Sequence, residues 1–243
     1  WGVDNTLISR ATESKIFAGD PVEVDYGDVC VNFDVAALGQ VQPPMTFDDL
    51  ILPEYKDMLV VQNPATSSTG LAFLLATIAA FGDSWTDYWK QLVNNNVQVV
   101  DSWDEAYYTS FTRYGGDRPL VVSYSTSPPA EVIFADPPLP AGSPALTGVA
   151  SETCFRQVEY AGVLRGTDFT KQAQQLVDYL TSPTFQELLP ESLFVYPANK
   201  DVELPQSFID YAPKIAKSFS LPPEEIAKNR QSWTDQWSAI VLQ

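Results

Sequence analysis

The segment VVQNPATSSTGLAFLLATIAAFG, residues 60–82, joins an apolar run, a small polar loop and a second apolar stretch. The first run predicts a buried strand over 58–62, and the second stretch predicts a helix over 70–81. The loop between them carries four hydroxyl side chains followed by a glycine, at Thr66, Ser67, Ser68, Thr69 and Gly70. One capping side chain is enough for a helix start, so the additional hydroxyls need another explanation.

The rest of the chain alternates predicted strands and helices. Apolar and β-branched patterns predict further strands over 22–33, 97–100, 120–124 and 154–163. Helical spacing and capping residues predict helices over 7–17, 84–94, 102–114 and 168–181, from 222 onward, and in short segments at 46–50, after Pro128 and after Pro183. The proline-rich segment 134–144 predicts a loop. This order predicts an α/β protein with helices on both faces of its sheet, and ligands bind at the carboxyl ends of such strands.

Three predicted strand ends share one chemistry. The segments 61–70, 99–103 and 122–128 each contain a strand end, Ser or Thr residues and a helix start. Helix N-termini expose unsatisfied N–H groups and a partial positive charge, so the loop 66–70 is a candidate cradle for a phosphate or carboxylate. Ordinary helix capping is the alternative. The loop is not a nucleotide P-loop, because no lysine follows the glycine.

Aromatic and polar side chains near these strand ends are further candidates for binding a ligand. Trp103 and Tyr124 lie where an aromatic face can stack on a flat ring or a cation, with core packing as the alternative. Gln157 and Glu159 share one face of a predicted strand, which suits the edge of a heterocycle, although their pattern alone favours a solvated face. The candidate ligand-binding set is Asp4, Asn5, Ser67, Ser68, Thr69, Gly70, Trp103, Tyr124, Ser125, Thr126, Gln157 and Glu159.

The composition excludes several classes of function. The chain of 243 residues contains no histidine, which removes the Ser-His-Asp triad, the Cys-His pair and most zinc sites. Its net charge of −17 disfavours a nucleic-acid partner and favours cationic ligands. No apolar window is long enough for a membrane span. No secretory leader is visible, and we expect the chain to start partway into its fold, because it opens like a strand end entering a helix.

No catalytic set stands out. The serines lack a partnered base, and Cys30 has no basic neighbour in the sequence that would lower its pKa. Tyr107 and Tyr108 suggest ferric iron ligands, but their helical position favours packing. The two cysteines, Cys30 and Cys154, form either one disulfide or two buried thiols.

Taken in order, several motifs resemble those of one family. They are GVDNTL, VDYGDVCVNFD, QNPATSSTGLAFLL, VVDSWDEAYYTSF, VVSYSTSPPAEV, CFRQVEYAGV, VDYLTSPTFQELLPESLFVYPAN and IAKNRQSWTDQWSAIV. The set resembles the thiamine-binding, substrate-capturing subunits of ABC importers, within the type II periplasmic-binding protein family. The resemblance covers nearly the whole chain, and SWDEAY together with SYSTSP is its most specific part.

The resemblance implies a type II periplasmic-binding fold, in which two α/β lobes of mixed sheet and flanking helices hold a ligand in the cleft between them. The first lobe would comprise 1–29 and 157–200, the second 30–156, and helices in 201–243 would pack across both. The first lobe would lack the opening strand-helix-strand of the family. The family's crossing strands would place Cys30 and Cys154 side by side, which favours the disulfide.

The resemblance also implies the ligand and the partners. The ligand would be thiamine, thiamine monophosphate or thiamine diphosphate, with the phosphate on the loop 67–70 and the ring stacked by Trp103 and Tyr124. The protein would be a monomer without cofactor or catalysis. It would be periplasmic or extracellular, either free or tethered as a lipoprotein, and would deliver the vitamin to a membrane permease. The alternatives are a thiaminase-like enzyme with Cys30 as nucleophile and a binding protein for ferric iron or a polyamine.

Overall fold

The computed structural model describes residues 2–140 and 142–242, which form two compact units. Unit 1 contains the chain up to Gly27 together with Gln157–Asp210 and Leu221–Arg230. Unit 2 contains Asp28–Arg156, Tyr211–Ser220 and the chain from Gln231 onward. The chain therefore passes from one unit to the other within two of its long strands and again in its C-terminal part.

The strands are, in chain order, β1 (Gly2–Asp4), β2 (Val22–Asp34), β3 (Leu59–Gln62), β4 (Gln98–Val100), β5 (Leu120–Tyr124), β6 (Thr147–Ala161) and β7 (Tyr196–Pro197). The α-helices are α1 (Ile8–Glu13), α2 (Ser68–Phe81), α3 (Trp85–Asn94), α4 (Trp103–Glu105), α5 (Ser127–Ile133), α6 (Thr170–Leu180), α7 (Pro183–Gln186), α8 (Leu189–Leu193), α9 (Gln206–Tyr211) and α10 (Pro223–Val241). The predicted strands are present, and so are the predicted long helices apart from the one over 102–114. Most boundaries differ by a few residues, whereas β6 begins at Thr147, well before its predicted start at 154. The short elements β7, α8 and α9 were not predicted, because each has too few residues to show a periodic pattern.

The sheet of unit 2 is built around β3, which lies between β4 and β5 and runs parallel to both. Strand β5 also pairs with β2 in antiparallel orientation. The core residues of β3 and β5 are fully buried, which agrees with their continuous apolar sequence. Because β3, β4 and β5 are parallel, their carboxyl ends meet at one edge of the sheet.

Helix α2 packs in the centre of unit 2 and is apolar around nearly its whole circumference. Its side chains from Leu71 to Ala76 are almost completely buried. The helix begins two residues earlier than predicted, because Ser67 is its N-cap and accepts from the Gly70 N–H. The next helix, α3, buries Trp85, Tyr88, Trp89 and Leu92 on one face as predicted.

The predicted helix over 102–114 is wrong beyond its first turn. Ser102 accepts from the Glu105 N–H at 3.1 Å, as the sequence pattern indicates. The chain then continues as a π-helix over Ala106–Ser110 and a short 3₁₀ helix over Thr112–Tyr114. The fully buried Phe111 ends the helix, because its backbone is extended and its neighbours Ser110 and Thr112 exchange hydrogen bonds with the backbone of Arg118.

In unit 1, β1 pairs with β6 and the first part of β2 pairs with β7, both in antiparallel orientation. Helix α1 is shorter than predicted and ends at Glu13, after which Lys15 adopts a left-handed backbone conformation with φ +51°. The N-cap of α1 is Leu7, and Asp4 does not cap this helix. Its Oδ1 accepts from the N–H and the hydroxyl of Thr6 and so closes a turn before the helix.

Two cross-strand links connect β2 and β6 inside unit 2. Cys30 and Cys154, both fully buried, form a disulfide. Two residues before Cys30 and two residues after Cys154, the buried Asp28 carboxylate accepts from Arg156 Nε at 2.7 Å and Nη2 at 3.0 Å. The Ser218 hydroxyl donates to the same carboxylate at 2.5 Å. These links hold together the segments that lead from unit 2 into unit 1.

We expect the disulfide to contribute strongly to stability, because it closes a loop of 124 residues. A variant with Cys30→Ala and Cys154→Ala should lose about 2–5 kcal/mol of unfolding free energy, since its unfolded chain is less constrained. Urea unfolding followed by circular dichroism measures this loss. Adding a reductant should destabilise the wild type and leave the double variant unchanged, and equal sensitivity of both proteins would contradict the expectation.

Candidate functional site

The carboxyl ends of β3, β4 and β5 are joined to one another by hydrogen bonds. The backbone N–H of Asn63, just after β3, donates to the carbonyl of Val100 at the end of β4, at 2.8 Å. The Thr66 hydroxyl donates to the carbonyl of Asp101 at 2.7 Å. The structure therefore brings the first two junctions that the sequence singled out into direct contact.

The third junction joins the same group through two side chains. Gln62, at the end of β3, donates from Nε2 to the carbonyl of Val122 in β5, at 2.9 Å. Trp103 donates from its indole Nε1 to the Ser123 hydroxyl at 3.0 Å. The hydroxyls of Ser123 and Ser127 lie 2.8 Å apart. We call this group of three connected strand ends in unit 2 the strand-end site.

The hydroxyls of the loop 66–70 do not all face outward. Thr69 is buried and donates to Gln62 Oε1 at 2.9 Å. The Ser67 hydroxyl lies 2.9 Å from that of Thr69 and also accepts from the Gly70 N–H at 3.4 Å. Ser68 is exposed. The surplus of hydroxyls at this helix start therefore serves partly to satisfy buried polar groups and to connect neighbouring strand ends.

Gly70 has a packing role that the sequence analysis did not identify. A Cβ atom at this position would lie 2.4 Å from the Gln62 carbonyl oxygen and 2.7 Å from the carbonyl carbon. The first turn of α2 thus packs directly on the end of β3, and only glycine allows this approach.

Trp103 is partly buried and is held by an aromatic cluster. Its ring stacks on Tyr107 at 4.7 Å between centroids, with 18° between the planes. Tyr108 meets it edge-on at 5.5 Å. Since one face rests on Tyr107 and the Nε1 edge is bonded to Ser123, the orientation of the Trp103 ring is fixed before any ligand arrives.

Tyr107 is held in turn by the buried carboxylate of Glu131. Its hydroxyl donates to Glu131 at 2.7 Å. The Tyr114 hydroxyl donates to the same carboxylate at 2.9 Å, and Arg113 donates to it from Nε at 3.1 Å. Burial, followed by the nearby carboxylate charge, raises the pKa of Tyr107 and of Tyr114 well above that of a free tyrosine. Both tyrosines therefore remain protonated donors.

Among residues 2–140 and 142–242, no cluster of three or more acidic or cysteine side chains is arranged to hold a metal ion.

The third junction contains Tyr124, Ser125 and Thr126. Tyr124 ends β5 and pairs with Val29 of β2, and its side chain is partly buried. Ser125 and Thr126 are completely buried. The hydroxyl of Ser125 has no hydrogen-bond partner among the described residues.

The remaining candidates lie in unit 1, where the structure gives Asp4 and Asn5 local partners. Asp4 closes its turn with Thr6 and lies opposite Glu159 in the pairing of β1 with β6. Asn5 exchanges hydrogen bonds with the backbone of Val158, at 2.9 and 3.2 Å. Both residues thus have structural roles at the end of β1.

Gln157 and Glu159 belong to a group of polar side chains in unit 1 that also contains the buried Asp25, which the sequence analysis missed. Gln157 is buried and donates to Glu159 at 3.3 Å, while its Oε1 has no partner among the described residues. Burial and then the Glu159 charge raise the pKa of Asp25 to about 7. Burial and then Asp4 raise the pKa of Glu159. Asp25 stands at a polar position of the alternating run 22–26, so the sequence pattern does not reveal that it is buried.

Comparison with known proteins places the chain in a family. A family model for bacterial extracellular solute-binding proteins matches residues 4–218. This protein belongs to that family.

Its similarity to individual relatives extends over nearly the whole chain. It is 31% identical to the thiamine-binding periplasmic protein of Salmonella typhimurium, covering 99% of this chain and 75% of the relative. It is 30% identical to the thiamine-binding periplasmic protein of Brucella abortus, covering 98% of this chain and 73% of the relative. Among solved structures, a periplasmic thiamin binding protein matches with a TM-score of 0.85 at 26% identity, covering 99% of this chain and 77% of that one.

These comparisons confirm the predicted α/β fold of the type II periplasmic-binding class and the predicted family resemblance. The structure itself bears on the thiaminase-like alternative, which needs a free thiol at Cys30. In this solute-binding protein Cys30 is fully buried and bonded to Cys154, so it offers no nucleophile. No helix in the described part of the chain is long and apolar enough to span a membrane.

The raised pKa of Asp25 predicts that the stability of the solute-binding protein depends on pH. The folded state binds the Asp25 proton more tightly than the unfolded chain does, so the unfolding free energy should fall as the pH rises from about 4 to about 7. Above that range the buried carboxylate is ionised and destabilising. Asp25→Asn should therefore raise the unfolding free energy by up to about 4 kcal/mol at pH 8 and by much less at pH 4.5, where the folded-state carboxyl is protonated.

Urea unfolding of the wild type and of Asp25→Asn at both pH values measures the difference. Asp20→Asn, at an exposed position of the same unit, is the matched control and should behave like the wild type. An Asp25→Asn variant with the pH dependence of the wild type would show that Asp25 is not the group responsible.

Proposed function

We propose that this solute-binding protein binds thiamine or a thiamine phosphate and delivers it to the membrane permease of an ABC importer. The observation that carries the proposal is the pair of thiamine-binding periplasmic relatives, each similar over at least 98% of this chain. The strand-end site supports it, because it joins a fixed aromatic ring to a hydroxyl-rich helix start.

The chemistry of thiamine suits this arrangement. Its thiazolium ring is flat and cationic, so it can stack on the face of Trp103 that Tyr107 leaves uncovered. A cation–π contact of this kind contributes on the order of 1–2 kcal/mol when it is desolvated. The net charge of −17 attracts a cation over longer distances and speeds its association.

The proposal extends to the setting in which the protein acts. It works as a monomer in the periplasm or outside the cell, tethered or free, with no cofactor and no nucleic-acid partner. It releases the vitamin chemically unchanged. The family membership supports this, because extracellular solute-binding proteins capture a small solute for transport.

Calorimetric titration with thiamine, thiamine monophosphate and thiamine diphosphate tests the ligand. We expect tight binding of at least one form, and Trp103→Ala should weaken it about 10- to 30-fold because the stacking surface is lost. Trp233→Ala, which removes a partly buried tryptophan of α10 outside the strand-end site, is the control and should retain the affinity of the wild type.

Absence of binding to all three forms would leave the family assignment intact and overturn the ligand. Ferric iron would then give a tyrosinate charge-transfer band on loading, and polyamines would be titrated in the same way. Consumption of thiamine in the presence of an amine acceptor would instead indicate the thiaminase-like activity.

A further inference from the structure

The hydrogen bonds behind the loop 66–70 have a definite direction, which starts at Gln62. The carbonyl oxygen of Val122 can only accept, so the nitrogen 2.9 Å from it is the amide Nε2 of Gln62. The opposite atom of that amide, Oε1, therefore faces Thr69 and can only accept as well. Gln62 is 1% exposed, so water does not take part in this choice.

This direction continues from Thr69 to Ser67. Thr69 has a single hydroxyl hydrogen, and Gln62 Oε1 takes it at 2.9 Å. The Thr69 oxygen can then only accept from Ser67, which lies 2.9 Å away. The one hydroxyl hydrogen of Ser67 is thus directed toward Thr69, which is buried with only 1% of its surface exposed.

The Ser67 oxygen consequently faces the strand-end site as an acceptor. It already accepts from the Gly70 N–H at 3.4 Å. Because its only hydrogen points to Thr69, its remaining lone pair can accept a hydrogen bond from a ligand but the hydroxyl cannot donate one. Donating to a ligand would require Ser67 to release Thr69, whose buried oxygen would then lose its donor. Such a loss costs about tenfold in an equilibrium constant.

We propose that Thr69 is a specificity-determining residue that makes Ser67 select a hydrogen-bond donor, such as a primary alcohol, over a phosphate ester. This inference rests on the proposed function and assigns the chemical form of its ligand. The hydroxyethyl group of thiamine ends in an alcohol that can donate to Ser67. A phosphate monoester has lost most of its hydrogens at pH 7.5, because its second pKa is about 6, and it meets the Ser67 oxygen as a second acceptor.

The proposal refines the expectation that the loop 66–70 is a cradle for a phosphate. The backbone N–H groups at the start of α2 still favour an anion, so the phosphorylated forms are not rejected outright. Thr69 accepts the hydroxyl hydrogen of Ser67, so Ser67 cannot donate that hydrogen to a phosphate. The affinity of a phosphate ester relative to the alcohol therefore depends on a residue that is buried behind the one facing the ligand.

The test compares thiamine and thiamine monophosphate by calorimetry at pH 7.5 in the wild type, Thr69→Val and Thr69→Ser. Valine has no hydroxyl to hold the Ser67 hydrogen, so the ratio of the two dissociation constants should shift about tenfold toward the phosphate ester. Serine keeps the hydroxyl and should leave the ratio unchanged. A ratio is used because a general loss of stability lowers both affinities together.

Ser67→Ala supplies the opposite measurement. Removing the acceptor should weaken thiamine several-fold and leave thiamine monophosphate unchanged or slightly tighter, whereas a donating Ser67 would give a selective loss of the phosphate ester. Should Thr69→Val fail to fold by circular dichroism, the double variant Gln62→Leu with Thr69→Val replaces both partners with apolar groups and takes its place.

The outcomes separate the two proposals. A wild type that binds neither ligand overturns the proposed function and this inference with it. A wild type that binds, together with a ratio unaffected by Thr69→Val or a selective loss of the phosphate ester in Ser67→Ala, overturns the role of Thr69 and leaves the proposed function standing. A tenfold shift in Thr69→Val but not in Thr69→Ser supports the role of Thr69.

Discussion

The parallel pairing of β3 with β4 and β5 is the constraint on which unit 2 depends. Parallel strands must be connected by crossovers, and the helices that make these crossovers cover the sheet and bury its apolar strands. The same pairing places the three strand ends at one edge of the sheet, where each strand leads into a helical segment. Residues separated by as many as 60 positions, such as Gln62 and Val122, are consequently in contact.

The need to satisfy buried polar groups determines the details of that edge. The packing of Gly70 on the end of β3 brings the first turn of α2 against a carbonyl, and the hydroxyls around it then find partners within the protein. Buried hydrogen bonds that lack an alternative in water have a fixed direction. The loop 66–70 is therefore both a structural connection between strands and a surface whose donors and acceptors are set from behind.

The acidic character of the chain has two physical expressions. Most carboxylates are solvated and contribute only to the long-range field. Asp25 and Glu131 are buried and differ from each other. Glu131 is neutralised locally by Arg113 and two tyrosine hydroxyls, whereas Asp25 lies near another carboxylate and has a raised pKa. Asp25 is sensitive to pH because it is buried and has no positive partner among residues 2–140 and 142–242.

The sequence by itself determined the α/β class, nearly all of the longer elements and the family, because periodic apolar patterns and ordered motifs are local properties of the chain. It also indicated the three strand ends, since Ser, Thr and Gly before a helix are recognisable without coordinates. Only the tertiary structure decided that Phe111 interrupts a helix, that Gly70 packs on β3 and that Asp25 is buried beside Glu159. It also decided the direction of the hydrogen bonds from Ser67 to Val122, because these depend on contacts between residues that are distant in sequence.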